Sequence, residues 1–167
     1  MTIAEILLQD FDHEMQGTRT TLERVPETNP DFKCHEKSMP MGYLAAHVST
    51  LPRFGITILT TDVLDMAVEK FPPNVFESRE KLLSDFDTLA AKARAILASS
   101  TDEHLKKHWK LAWGDRTFAD APRSTLYRSM FFNHLIHHRA QLGVYLRLNG
   151  VPVPALYGPS ADDKLGF

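Results

Sequence analysis

The chain has 167 residues, of which 43% are hydrophobic and 24% are charged, and its formal net charge at pH 7 is −2. These values predict one soluble globular domain over residues 1–167 and exclude a disordered chain. The charge balance argues against nucleic acid as a partner, because phosphate binding relies on clustered Lys and Arg side chains. The single cysteine, Cys34, cannot form an internal disulfide and is typical of a reducing compartment.

The first ten residues contain Glu5 within an apolar run and lack a basic leading region, so they do not resemble a secretory signal peptide. No apolar run in the sequence approaches the ~20 residues that cross a bilayer. We therefore expect a cytoplasmic protein that does not span a membrane.

Apolar residues at three- and four-residue intervals predict a first helix from Ile3 to about Arg24. Residues 25–38 are rich in Pro, Asn, Glu and Lys and predict a long surface connection. Ser38 is predicted to cap a second helix, which Pro52 should kink or end.

A break at residues 71–74 is followed by Ser78, which is predicted to cap a third helix that runs to about Ser99. Residues 109–118 alternate around the pair Gly114-Asp115, a pattern compatible with a short β-hairpin.

The last helix is predicted to begin near Asp120 or Pro122 and to end at Asn149, with Gly150 just beyond its end. The tail, residues 151–167, should be extended. Four helices without a strong strand pattern predict an all-α protein, a four-helix bundle with long connections.

Two histidines in the last helix, His134 and His138, are four residues apart, so their imidazoles emerge from one helix face and can share a divalent metal ion. The best candidate for a third ligand is His47, because an imidazole buried in the apolar run of residues 42–48 needs a partner. Histidines buried without metal are the alternative. Three imidazoles leave a coordination position for water or substrate, as in catalytic sites.

Other residues are expected near this site without binding the ion. Gln141 lies one turn beyond His138 on the same face, and His137 lies at the edge of that face. We expect Tyr43, His137 and Gln141 to orient a ligand or to contact substrate. Arg139 is predicted to point away from the site as a surface or interface charge.

A second apolar stripe lies nearly opposite His134 on the last helix. It consists of Phe132, Ile136, Ala140 and Gly143. Small residues in the stripe predict close packing against another helix, and we expect a homodimer. The alternative is that the tail or residues 100–120 cover the stripe.

Three segments resemble the DinB-like (DinB/YfiT) family of metal-binding four-helix bundles: Gly42–His47, Asn133–Gln141 and Tyr145–Pro154. Weaker similarity covers most of the chain. In that family, one histidine of the second helix and two at four-residue spacing in the last helix bind a divalent metal, usually zinc or nickel. By position, the resemblance implies His47, His134 and His138. It does not imply DNA binding.

Relatives in this family include thiol-dependent S-transferases and a mycothiol-dependent isomerase. The resemblance and the site together predict a metal-dependent enzyme with a small-molecule substrate. It would be a transferase that uses a low-molecular-weight thiol as cosubstrate, or a hydrolase that activates water. The alternative is a noncatalytic metal-binding protein of the stress response. The sequence identifies no general base, so the catalytic residues stay unassigned.

Overall fold

Four helical columns and a small sheet make up the protein in a computed structural model that describes residues 1–164. The helices are α1 (Ile3–Glu23), α2 (Met41–Thr50), α3 (Pro52–Thr60), α4 (Arg79–Ala98), α5 (Asp102–Lys106), α6 (Arg123–Leu126) and α7 (Asn133–Leu148). The strands are β1 (Val63–Asp65), β2 (His108–Trp113) and β3 (Arg116–Pro122). The four columns are, in chain order, α1, the pair of α2 and α3, α4, and the pair of α6 and α7. This arrangement confirms the predicted four-helix bundle.

The first helix has the bounds that its apolar periodicity predicts. Thr2 and Glu5 form a capping box, in which each side chain accepts a hydrogen bond from the other residue's backbone N–H. Leu7, Phe11 and Leu22 are buried in the core. α1 packs against α4 and α7, so its apolar stripe faces the interior of the bundle.

The second column is divided at Pro52, as predicted, with α2 ending at Thr50 and α3 beginning at the proline. The predicted cap at Ser38 is wrong. Pro40 takes the N-cap position, and the first N–H groups of α2 are satisfied by the backbone carbonyls of residues 30 and 32 in the preceding loop. Ser38 lies in that loop, with its Oγ 3.4 Å from Cys34 Sγ.

The third column begins as predicted, since Ser78 caps α4 by accepting a hydrogen bond from the backbone N–H of Lys81 at 3.1 Å. The predicted hairpin is also present, and it is longer than expected. Its strands are antiparallel, and Gly114 lies in the turn with φ of +55°. The remaining strand, β1, pairs in parallel with β2. It was not predicted, because three residues are too few to show the alternation of a strand.

The last column contains a π-helical turn, Tyr127–Phe132, between α6 and α7. Backbone hydrogen bonds in a π-helix join residues five positions apart instead of four, so the turn contains one additional residue. Phe131 and Phe132 therefore both pack against the ring of Tyr127, at centroid distances of 5.0 and 5.1 Å. Phe132 is 2% exposed, so this member of the second apolar stripe packs inside the bundle.

Both ends of this column lie within a few residues of the predicted bounds. The helical part begins at Arg123, after Pro122, because Asp120 belongs to β3 and pairs with Lys110. It ends at Leu148, and Gly150 has φ of +71°, as expected for a residue just past a helix.

Arg139 is buried, whereas the sequence predicts a surface or interface charge. Its side chain is 2% exposed and lies between α7 and α1, where Glu14 accepts a hydrogen bond from it at 2.7 Å. The Tyr157 hydroxyl lies 2.5 Å from Arg139 and 2.7 Å from Glu14. The prediction was wrong because helix α1 and the tail, both distant in sequence, occupy the side of α7 that it treated as open.

The tail runs along α7 beside the remaining part of the predicted stripe. Its described residues, 151–164, are without regular secondary structure, and residues 165–167 lie outside the described range. Val153 and Leu156 line a groove together with Ala140 and Gly143. Ala140 is nevertheless exposed, and Ile136 and Gly143 are half-buried, so the tail covers this part of the stripe only in part, and homodimer formation stays a prediction. Within residues 1–164, no helix is both long and apolar enough to cross a bilayer.

Candidate metal centre

Three histidines from two helices converge in the bundle: His47 on α2, and His134 and His138 on α7. One ring nitrogen from each lies within 4.8 Å of the others. The Nε2 atoms of His47 and His134 are 3.4 Å apart. The structure thus brings together the three histidines singled out in the sequence, and this group could hold a metal ion.

The spacing of one pair of these nitrogens agrees with what a tetrahedral metal site needs. Zinc binds imidazole nitrogens at about 2.05 Å, which places two ligands of a tetrahedron about 3.3 Å apart. The observed 3.4 Å between His47 and His134 is close to this value. Imidazole is also a donor that zinc and nickel accept readily. The residues present therefore fit a divalent ion of this class.

The protonation of the three imidazoles also suits metal binding. Burial, with a smaller contribution from the neighbouring histidines, lowers the pKa of His47 from its ordinary value of 6.5 to about 4. Burial also lowers the pKa of His134 and of His138. All three rings are consequently neutral at pH 7, and each keeps a nitrogen lone pair for an ion.

Hydrogen bonds at the far side of the rings fix their orientation. Gln141 Oε1 lies 2.8 Å from His138 Nδ1, so it accepts the proton of Nδ1 and leaves Nε2 free. This contact places Gln141 beside His138, and its orienting role stays a prediction.

Asn74 is a site residue that the sequence analysis missed. Its amide nitrogen lies 3.3 Å from His47 Nδ1, and its oxygen accepts a hydrogen bond from Thr50 Oγ1 at 3.1 Å. Turned by 180°, the same amide accepts the proton of Nδ1 and leaves Nε2 of His47 unprotonated. Asn74 comes from the Pro-rich connection before α4, where no helical periodicity signals a position relative to the bundle.

A cavity of about 660 Å³ opens beside the histidines and is lined by His47 and His134. Its volume lies within the range of small-molecule sites, roughly 300–1,000 Å³. Tyr43 lies on the cavity wall, where substrate contact was predicted for it. His137 is exposed, and its ring centre lies 4.9 Å from that of His138, which places it beside the site.

Comparison with known proteins identifies relatives of this chain. The DinB family matches residues 2–164. The uncharacterised protein YrdA of Bacillus subtilis is 23% identical over 163 residues, which cover 96% of this chain and 91% of YrdA.

Solved structures show the same fold. A DinB-like protein from Bacillus cereus superposes with a TM-score of 0.67 at 20% identity, covering 90% of this chain and 95% of that one. A DinB-like protein from Bacillus subtilis, YjoA, gives a TM-score of 0.64 at 22% identity, with 87% and 94% coverage. Because the family match extends over nearly the whole sequence, the chain belongs to the DinB family.

Proposed function

We propose that the protein is a metal-dependent enzyme in which His47, His134 and His138 hold a divalent cation, zinc or nickel. The observation that supports this most directly is the convergence of three neutral imidazoles, two of which line a cavity of small-molecule size. The cavity favours an enzyme over the noncatalytic metal-binding alternative, because an ion with a purely structural or sensing role needs no adjoining space for a substrate.

The reaction class we propose is transfer of a low-molecular-weight thiol, or hydrolysis. When bound, the ion would lower the pKa of a coordinated thiol or water and supply a nucleophile near neutral pH. The chain itself contributes the geometry. α2 and α7 hold the imidazoles, Gln141 and Asn74 orient two of them, and the largely apolar wall of the cavity offers contacts to a substrate.

Metal content tests the site directly. The full chain is purified without a polyhistidine tag or a nickel column, loaded with zinc, desalted and analysed by mass spectrometry for metals. We expect about one ion per chain, with loss of the ion in His47→Ala and His138→Ala. His137→Ala is the matched control, since this exposed histidine adjoins His138 outside the converging group. Stoichiometric metal that survives both ligand substitutions would refute the site.

Turnover tests the enzyme. The zinc- or nickel-loaded protein is screened with low-molecular-weight thiols against electrophilic acceptors, and with esters and amides. We expect thiol transfer or hydrolysis that chelation abolishes and re-addition of the ion restores. Turnover that is indifferent to chelation contradicts the proposal. A protein that binds the ion but turns over none of these substrates favours the noncatalytic alternative.

A further inference from the structure

We infer that the cavity beside the histidines binds an apolar molecule with one anionic group, and that Arg53 recognises the anion. Identification of this molecule as the substrate rests on the proposed function. The binding event itself requires only the cavity and Arg53, so it can be tested in the metal-free protein.

The apolar part of the inference comes from the cavity wall. Most of the wall consists of hydrocarbon or thioether side chains, which include Phe54, Leu64, Met66, Phe71 and Met130. Met66 and Phe71 are 37% and 45% exposed. Large apolar side chains exposed around a concave surface lose contact with water when a ligand fills it, which favours an apolar occupant.

The positive charge of the cavity comes from a single side chain. Among the described residues that line the cavity, Arg53 is the one Lys or Arg, and none is Asp or Glu. The cavity therefore has the positive charge of Arg53 and no compensating carboxylate among these residues. A cavity with this charge pattern concentrates anions.

Arg53 is also free to bind an anion. Seven other arginines form ion pairs with carboxylates: Arg19, Arg24, Arg94, Arg123, Arg128, Arg139 and Arg147. Within residues 1–164, Arg53 is half-buried and has no carboxylate within 4.0 Å. A guanidinium presents a planar fork of N–H donors that matches a carboxylate or phosphate. Its position on the cavity wall makes it the recognition group.

Calorimetric titration of the full chain with octanoate and octanamide tests this inference, because the two probes share one carbon chain and differ in charge. We expect octanoate to bind about tenfold more tightly than octanamide, both in chelated and in zinc-loaded protein. Arg53→Gln should remove this preference, and Arg53→Lys should keep part of it. Arg79→Gln is the matched control, since it removes the same charge outside the cavity and should keep the full preference.

The outcomes separate this inference from the proposed metal function. It is overturned if neither probe binds, if both bind equally, or if the preference survives Arg53→Gln. It is also overturned if the preference appears only with zinc, because the anion then binds the ion. An Arg53-dependent preference in a protein that binds no metal supports the inference and refutes the metal site. An unchanged unfolding temperature of Arg53→Gln shows that any loss is local.

Discussion

Replacing Gln141 by Leu tests whether its amide keeps His138 ready for metal binding. The substitution removes a hydrogen bond of 2.8 Å to Nδ1 and leaves the ring in place on α7. A neutral hydrogen bond contributes about 0.5–1.5 kcal/mol net, and residues that orient a metal ligand typically account for about 10- to 100-fold in affinity. Because Gln141 is exposed to solvent, water replaces part of the bond, and we expect about tenfold weaker zinc binding.

Competition with a chromogenic chelator at pH 7 measures this affinity. Gln141→Glu keeps an acceptor for the Nδ1 proton and should bind zinc at least as well as the original chain. Gln9→Leu makes the same change at an exposed position of α1 and should have no effect. Zinc affinity of Gln141→Leu equal to that of the unaltered protein would refute the orienting role.

Nitrogen NMR of the metal-free protein provides a second readout of the same role. We expect His138 to carry its proton on Nδ1 in the unaltered protein, because Gln141 accepts it. The Leu variant should lose this preference. A proton on Nε2 of His138 in the unaltered protein would contradict the argument independently of any metal measurement.

Three further predictions concern stability. In urea unfolding, Gly55→Ala should destabilise the protein by about 1–3 kcal/mol, because its Cβ would lie 2.8 Å from an aromatic carbon of the π-helical turn. At Gly143 the nearest atom to an added Cβ is 3.8 Å away, so Gly143→Ala should stabilise the protein by up to about 1 kcal/mol. Effects of the same sign would contradict this packing argument. Arg139→Met leaves the buried Glu14 carboxylate unpaired and should cost about 3–5 kcal/mol by denaturant unfolding, most of which Glu14→Gln in the same chain should restore. In the metal-free protein, the His47 pKa of about 4 lies below the ordinary 6.5, so the unfolded chain takes up the proton first and stability should fall as the pH drops from 6.5 to 4. Partial exposure reduces the expected loss to about 1–2 kcal/mol, and His47→Ala should flatten this part of the measured pH profile.

Local rules were enough for the main helices of the bundle and for two of the three candidate ligands. The periodicity of α1, the cap at Ser78 and the glycine after α7 depend on residues within a few positions of one another, so the sequence alone predicts them. The same holds for His134 and His138, whose four-residue spacing places them on one helix face wherever that helix lies. The prediction of His47 as the third ligand rested on two further observations, its position in an apolar run and the resemblance to a known family.

Tertiary structure decided the features that depend on what packs beside each helix. Arg139 lies in the interior because α1 supplies Glu14, and Asn74 reaches His47 because the connection before α4 crosses the site. Phe132 enters the core because the π-helical turn shifts its direction from that of a regular helix. The sequence by itself determined the residue type and the spacing of the candidate ligands His134 and His138, because both are local. The cavity and its single positive charge arise from residues distant in the chain, and only their packing brings them together.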